Sequence, residues 1–320
     1  MKAAVVSAFG TPPRYEDFPD PAPAGDGEMV VDVLAAGLHP RVRSQADGSH
    51  YTSTGELPLV PGIDGVGRGG DGLLRYFVLP DTTVGSMAEQ TVIDARRSIV
   101  LPDGSDPVAV AAAMNPAMGS WMALRQRVRF EAGQGVLVLG AGNAGQMAVQ
   151  VARLLGAGRI VVAGRRIERV AARLPAAGAA GVVSLDEEPD VVARRLGEAA
   201  SEVDVVLDFL WGEPTAAAMA AVITARADRG RPLSWIEVGS VAGQTAAIPS
   251  AALRAARLTV VGSGQGSVGV REYLGELPAL AETITAGRLD VDARAVPLAD
   301  AERAWADTGA SHRIVITPHP

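Results

Sequence analysis

The stretch Val136-Leu137-Val138-Leu139-Gly140-Ala141-Gly142-Asn143-Ala144-Gly145 runs straight into Gln146-Met147-Ala148-Val149-Gln150-Val151-Ala152-Arg153-Leu154-Leu155. A short apolar run ends in G-A-G-N-A-G and gives way to apolar residues at helical spacing, which reads as strand, tight turn and helix. Each glycine has its own task in such a turn. Gly140 allows the reversal, Gly142 lets the backbone approach a pyrophosphate, and Gly145 lets the helix pack closely on the strand. The pyrophosphate would rest on the free N–H groups at the positive end of the helix, around Gly142, Asn143, Ala144 and Gly145. The pattern predicts a dinucleotide site.

A second strand follows, Arg159-Ile160-Val161-Val162-Ala163-Gly164-Arg165-Arg166. An NAD site carries an acid roughly 20 residues past the glycines, to hold the ribose hydroxyls. Here that count reaches Gly164 and Arg165, and the first carboxylate is Glu168. An acid would repel a 2′-phosphate, whereas an arginine fork binds one in bidentate fashion. NADPH is therefore the expected cofactor, with Arg165 ahead of Arg166 as the phosphate ligand. The competing reading makes both arginines ordinary solvated charge.

With 320 residues, the chain is long enough for two domains. Hydrophobic residues make up 48%, but no uncharged apolar run approaches the roughly 20 residues that span a bilayer. Met1-Lys2-Ala3-Ala4-Val5-Val6 reads as a first strand without a cleavable signal pattern, so no membrane association is expected. The net charge of −7, with no basic run, argues against nucleic acid as a partner. The chain has no cysteine, which removes disulfides, thiolate nucleophiles, cysteine-ligated zinc and iron–sulfur clusters. The four histidines, His39, His50, His312 and His319, form no i, i+4 pair. No metal is expected, and the cytoplasm is the expected compartment.

The first hundred residues are short β-like runs broken by Pro and Gly, such as Met29–Ala35 and Met87–Ile93, which predicts a small irregular barrel. Helical patterns follow at Ala109–Ala113 and Trp121–Val128. Further strands are expected at Gly181–Leu185, Val203–Phe209, Leu233–Gly239 and Leu258–Gly262, between Ala-rich helices. With the two strands above they make six, and β/α alternation implies a parallel sheet covered on both faces. The tail reads as helix at Tyr273–Ala286 and Ala301–Trp305, then a strand at Arg313–Thr317.

Several stretches carry a resemblance to a known family. They are Ala36-Gly37-Leu38-His39-Pro40, Leu57-Pro58-Leu59-Val60-Pro61-Gly62-Ile63-Asp64-Gly65-Val66-Gly67, Met87-Ala88-Glu89, the glycine run with Ala148-Val149-Gln150, Val205-Val206-Leu207-Asp208, and Val296-Pro297-Leu298-Ala299-Asp300-Ala301. Together they resemble the medium-chain dehydrogenase/reductase superfamily, nearly end to end, and within it the zinc-independent quinone oxidoreductase-like branch. The resemblance implies an α/β protein with a GroES-like irregular β-barrel catalytic domain, residues 1–111 and 269–320. A Rossmann NADPH-binding domain with a doubly wound, six-stranded parallel sheet would occupy 112–268. It implies an active site in the cleft facing the nicotinamide and a homodimer joined at the edge strand Leu258-Thr259-Val260-Val261, which would hide an exposed sheet edge.

The departures from that family also carry information. Zinc-dependent relatives have Cys where this chain has His39, and His-Glu where it has Ile63-Asp64. Ile63 cannot ligate a metal, so the resemblance implies chemistry without zinc, and Asp64 reads as structural. What remains is hydride transfer to a quinone or to the β-carbon of an α,β-unsaturated carbonyl, with donors to meet the oxyanion that forms. The substrate is expected to be a small, flat, hydrophobic carbonyl compound or quinone. Reduction of enoyl thioesters or of a natural-product intermediate uses the same chemistry. A non-catalytic NADPH-binding sensor or structural protein is the alternative of a different class.

By the resemblance, the polar groups over the nicotinamide would be His39, His50 and Tyr51. An ungapped count from Gly37 lands on His50, while Tyr51 lies beside it, so either ring is a candidate. His39 takes the place of an Asn common in relatives, though a buried core histidine fits as well. Val42 replaces a usual Asp. Ser120 and Asn115 are expected near the nicotinamide, with Asn115 alternatively capping a helix. Because ligands bind at the carboxyl ends of parallel strands, the loops containing Phe209 and Leu210, and Val238, Gly239 and Ser240, should line the cofactor. Ser263 and Gly264 belong either to the same site or to a hinge.

Overall fold

The computed structural model describes residues 1–50, 52–264, 266–308 and 312–318. They form two compact units, Met1–Asn115 with Leu274–Pro320, and Pro116–Tyr273. The expected junctions were 111/112 and 268/269, a few residues earlier.

The first unit contains β1 (Lys2–Val5), β2 (Arg14–Asp17), β3 (Glu28–Leu38), α1 (Pro40–Ala46), β4 (Asp64–Gly69), β5 (Leu74–Val78), β6 (Gln90–Asp94) and β7 (Ser98–Val100). The helix α2 (Pro107–Met122) crosses into the second unit. That unit holds β8 (Gly135–Leu139), α3 (Asn143–Leu154), β9 (Arg159–Gly164), α4 (Leu174–Ala177), β10 (Gly181–Ser184), α5 (Pro189–Ala200), β11 (Val205–Asp208), α6 (Gly212–Ala225), β12 (Leu233–Glu237), α7 (Ser250–Ala255) and β13 (Leu258–Gly262). The chain then passes through α8 (Val270–Thr285), β14 (Ala293–Pro297), α9 (Ala301–Ala306) and β15 (Arg313–Thr317).

In the second unit all six strands run parallel in the order β10-β9-β8-β11-β12-β13. Numbered within the unit this is 3-2-1-4-5-6, the doubly wound order whose ligand crevice opens at the carboxyl end of the first strand. Strands β8, β9 and β11 are almost continuously apolar and buried because helices cover both faces of such a sheet. Leu137, Leu139, Val161, Val206, Met219 and Trp235 fill the core.

The first unit is built on a mixed sheet in the order β14-β15-β3-β4-β5-β7, with β6 also paired to β3. The 11-residue β3 serves three partners in turn: β6 along Glu28–Asp32, β4 along Val31–Ala35 and β15 along Ala36–Leu38. A register shift between Val33 and Ala35 interrupts the pairing with β4, as a bulge does when it bends a strand. The pairing is an irregular mixed sheet, extended by single bridges between Ala3 and Ala88, Val6 and Leu59, and Val60 and Val84. Its core includes Val31, Val33, Phe77, Met87, Ile93 and Ile316.

Two expectations need correction. Met87 and Ala88 lie outside β6; the amide of Met87 bonds to Pro61 O (2.9 Å) and its carbonyl accepts from Ala4 N (2.9 Å). The two helical patterns around residues 109–128 are one helix up to Met122, despite Pro116. A proline there removes one helical hydrogen bond, but Val110, Ala113, Met114, Ala117 and Met118 are buried along the helix and hold it.

Candidate functional site: a dinucleotide turn and a buried polar cluster

The turn from β8 to α3 shows why its residues are glycines. Gly140 has φ +114°, and a Cβ there would lie 3.2 Å from Phe209 Cβ. A Cβ on Gly145 would fall 1.7 Å from Gly140 O, so helix and turn touch backbone to backbone. One on Gly164 would meet Ala141 Cβ at 2.7 Å. Gly142 differs. It is the N-cap of α3 with ordinary dihedrals, and a Cβ there meets no atom within 4 Å. The first helical bond is Gln146 N–H to Gly142 O at 2.9 Å, which leaves the preceding amides without intrahelical acceptors. Open space at Gly142, beside amides without intrahelical acceptors at a helix N-terminus, is what a pyrophosphate requires.

Gly164 ends β9, and Arg165 and Arg166 follow, both exposed. Arg165 makes no hydrogen bond or ion pair with the described residues. Arg166 adopts the left-handed region, φ 47°, and its backbone N–H donates to the Asp186 carboxylate. No local pattern points to Asp186, because 20 residues and a helix separate the two.

Phe209 and Leu210 sit against the same turn, since a Cβ on Gly140 would also lie 3.4 Å from Leu210. Their loop is shaped by Asp208. Its fully buried carboxylate accepts from Leu210 N (2.9 Å), Trp211 N (3.0 Å), Thr215 Oγ1 (2.6 Å) and Trp235 Nε1 (2.9 Å). Sequence reasoning placed Asp208 at the start of this cofactor-lining loop but did not foresee that its buried carboxylate shapes the loop. The next loop is tied to it, with Val238 N–H donating to Asp208 O at 2.7 Å and Gly239 N–H at 3.2 Å. Ser240 follows at the carboxyl end of β12, partly exposed. Burial, aided by Asp208, raises the Glu237 carboxyl above the usual carboxylate range. Ser263 is buried and its N–H donates to Glu237 O at 2.7 Å. Gly264 N–H donates to Ser267 Oγ at 2.9 Å, closing a short turn.

Asn115 lies inside α2 and caps nothing, which corrects that alternative. Ser120 is fully buried, its hydroxyl donating to Ala117 O at 3.0 Å within the helix. Trp121 is 5% exposed, a core position, and stacks under Arg125.

In the first unit His39 ends β3's run and N-caps α1 at 3% exposure. Its Nε2 lies 3.3 Å from Asp64 Oδ1. The other oxygen of Asp64 accepts from the Tyr76 hydroxyl at 2.7 Å, and the Asp64 carbonyl accepts from Ser86 Oγ at 2.6 Å. An ionised carboxylate only accepts, so neutral His39 carries its proton on Nε2 and presents Nδ1 as an acceptor. Burial lowers the His39 pKa, and the attraction of Asp64 only partly opposes this. His39 is therefore not a ready proton donor at neutral pH. His50 is half-buried. Thr52 N–H donates to its Nδ1 at 3.2 Å, which places the proton of the neutral ring on Nε2. Burial, then Arg41, lowers its pKa as well. Tyr51 lies outside the described residues. Sequence reasoning missed Tyr76 and Arg313, the latter 6% exposed. Among the described residues, no group of three His, Cys, Asp or Glu side chains converges as a metal site would require. No described helix is long and apolar enough to cross a membrane.

A 3-2-1-4-5-6 sheet with a glycine turn at the carboxyl end of its first strand defines a dinucleotide-binding Rossmann protein. No family model matches the chain. It is 30% identical to a protein of Emericella nidulans named "Probable NADPH-dependent quinone reductase", over 99% of this chain and 100% of the other. It is 25% identical to a chloroplastic NADPH-dependent alkenal/one oxidoreductase of Arabidopsis thaliana, over 68% of this chain and 64% of that one. The solved quinone oxidoreductase of Thermus thermophilus, also studied as its NADPH complex, matches with a TM-score of 0.78 and 27% identity over 99% and 100% of the two chains. The chain belongs to the medium-chain dehydrogenase/reductase superfamily, in its quinone oxidoreductase-like branch.

Proposed function

We propose that this protein is an NADPH-dependent reductase that delivers hydride to a quinone or an α,β-unsaturated carbonyl without a metal. The observation that carries the reading is the open space at Gly142 with the exposed Arg165, which has no partner among the described residues, at the end of the neighbouring strand. The two fit a dinucleotide bearing a 2′-phosphate. Bound NADPH would supply hydride from C4 of its nicotinamide. Asn143, Ala144 and Gly145 would hold the pyrophosphate through their amides, and Arg165, helped by Arg166, the 2′-phosphate. Phe209, Leu210, Val238, Gly239 and Ser240 would flank the cofactor at the carboxyl ends of β11 and β12, with Ser263 and Gly264 beyond β13. Asn115 and Ser120 belong to this reading only through the resemblance. His39, His50 and Tyr51 would be the polar groups around the acceptor. The metal-free character rests on the absence of cysteine and on Ile63 beside Asp64.

The protein would act as a homodimer paired through β13, the outer strand of the sheet, where Thr259 and Val260 are exposed. As NADPH is an intracellular reductant, the setting would be the cytoplasm. The test is NADPH oxidation by chelator-treated protein with 1,4-benzoquinone, 9,10-phenanthrenequinone, 2-cyclohexenone and crotonyl-CoA, with NADH in parallel. Turnover that survives the chelator and prefers NADPH supports the reading. Turnover confined to crotonyl-CoA shifts it to thioesters, and tight NADPH binding without turnover shifts it to a binding protein. The variant Arg165→Ala should weaken NADPH binding roughly 10–100-fold, the worth of a charge-assisted hydrogen-bond pair, and leave NADH unchanged.

A further inference from the structure

Gly164 closes β9 against the dinucleotide turn: a Cβ there would meet Ala141 Cβ at 2.7 Å and Ala141 N at 2.9 Å. Arg165 and Arg166 therefore begin beside the glycines, at the carboxyl end of the sheet. Arg166 has φ 47° and ψ 34°, a left-handed conformation uncommon for a residue with a long side chain. The chain then enters a short turn, where Arg169 N–H donates to Arg166 O at 3.2 Å and Ile167 is buried. The neighbouring strand β10 supplies what holds this conformation. Ser184 pairs with Gly164, and Leu185 N–H donates to Gly164 O at 3.0 Å, so the parallel register carries Asp186 beside Arg166. There its carboxylate accepts from the Arg166 backbone N–H. The Asp186 N–H in turn donates to Ser184 Oγ at 3.3 Å, which fixes the bend after β10.

Asp186, Arg165 and Arg166 are all exposed. An exposed carboxylate beside exposed guanidiniums is free to form a surface ion pair with them. Here it is engaged by a backbone amide instead, and neither guanidinium has a hydrogen bond or ion pair among the described residues. The bond fixes the peptide between Arg165 and Arg166, and with it the course of the backbone that carries both forks. Ligands held in place before binding lose less freedom when the anion arrives.

We propose that Asp186 is a positioning residue for the 2′-phosphate of NADPH: it holds Arg166 in the left-handed turn and so sets the preference for NADPH over NADH. The proposal rests on the cofactor reading above, in which Arg165 and Arg166 are the phosphate ligands. The acceptor oxygen is what matters, because the negative charge of Asp186 repels a nearby dianion. A neutral acceptor of the same shape should therefore serve at least as well.

The test measures dissociation constants of NADPH and NADH by fluorescence titration for the parent, Asp186→Ala and Asp186→Asn. Asp186→Ala should weaken NADPH about tenfold, the worth of one hydrogen bond to a charged group, and leave NADH within about twofold. Asp186→Asn keeps an acceptor oxygen and sheds the charge, so it should bind NADPH at least as tightly as the parent; it stands alone if the Ala variant fails to fold. Glycine enters the left-handed region freely, so in an Arg166→Gly background Asp186→Ala should cost less than about twofold. Parental NADPH binding in Asp186→Ala overturns the proposal. So does an equal loss of both cofactors, which a merely stabilising residue would give, or a loss in Asp186→Asn as large as in Asp186→Ala, or an undiminished loss in the Arg166→Gly background. Binding is read without turnover, so failure of the reductase reading leaves these numbers standing. A parent that binds NADPH no tighter than NADH overturns the 2′-phosphate assignment together with this proposal, whereas a parent that prefers NADPH, with Asp186→Ala unchanged, overturns this proposal alone.

Discussion

Gly142 and Gly145 stand three residues apart in one motif, and substituting each by alanine should fail in different ways. At Gly145 the new Cβ would lie 1.7 Å from Gly140 O, half of an ordinary contact distance and against backbone rather than a yielding side chain. Overpacking of this kind costs about 1–3 kcal/mol or more, and roughly 2–4 °C of melting temperature goes with each kcal/mol in a unit this size. Gly145→Ala should therefore melt several degrees lower and also bind NADPH poorly. At Gly142 nothing lies within 4 Å of the new methyl and φ is −69°. Losing a glycine N-cap costs up to about 1 kcal/mol, and the stiffer unfolded chain returns about 0.4–1, so the melting temperature should change by no more than about 3 °C. The methyl would nonetheless occupy the pyrophosphate's place. Loss of one charge-assisted hydrogen bond, about 1.5–3 kcal/mol, raises the NADPH dissociation constant roughly 10–100-fold. Differential scanning calorimetry and fluorescence titration of NADPH supply the two numbers. A Gly142→Ala protein that binds NADPH within about twofold of the parent would refute the placement of the pyrophosphate over that residue.

Three further outcomes are expected. Tyr76→Phe removes the 2.7 Å donor to a carboxylate that is 2% exposed, and should cost about 1–3 kcal/mol in urea unfolding; an unchanged midpoint would show that Asp64 does not need the hydroxyl. Burial holds the folded His39 pKa below the usual value of 6.5, so the unfolded chain takes up this proton first on acidification. Stability should then rise with pH from the depressed value up to about 6.5 and level off above it. His50 adds a slope of the same sign, so the readout is the difference between the parent and His39→Gln, whose profile should be flatter. Val260→Lys places a charge on the exposed outer strand β13, and should convert a dimer to monomer by light scattering; a parent already monomeric would remove the pairing from the reading.

Much of this protein was legible in its sequence, because local patterns dictated it. The six parallel strands, the glycine turn and the closing strand Arg313–Thr317 follow from apolar runs, periodicity and residues whose backbone freedom or lack of a side chain is required. The cofactor turn was equally visible, since its ligands are consecutive amides whose geometry the residues themselves set. The mixed sheet was less so: β3 divides itself among three partners far apart in the chain, and no short-range pattern encodes that choice. Strand β14 was overlooked because only Val296 of its residues is buried and Pro297 ends it. The buried polar contacts were beyond reach altogether. Asp64 with Tyr76, Asp208 with Trp235, and Arg166 with Asp186 join residues 12 to 27 positions apart. Arg313 is buried only because the last strand of the chain pairs with the third. Sequence fixes which groups are present, but whether a charge ends in water, in an ion pair or unpartnered in the interior depends on which distant segments the fold brings against it.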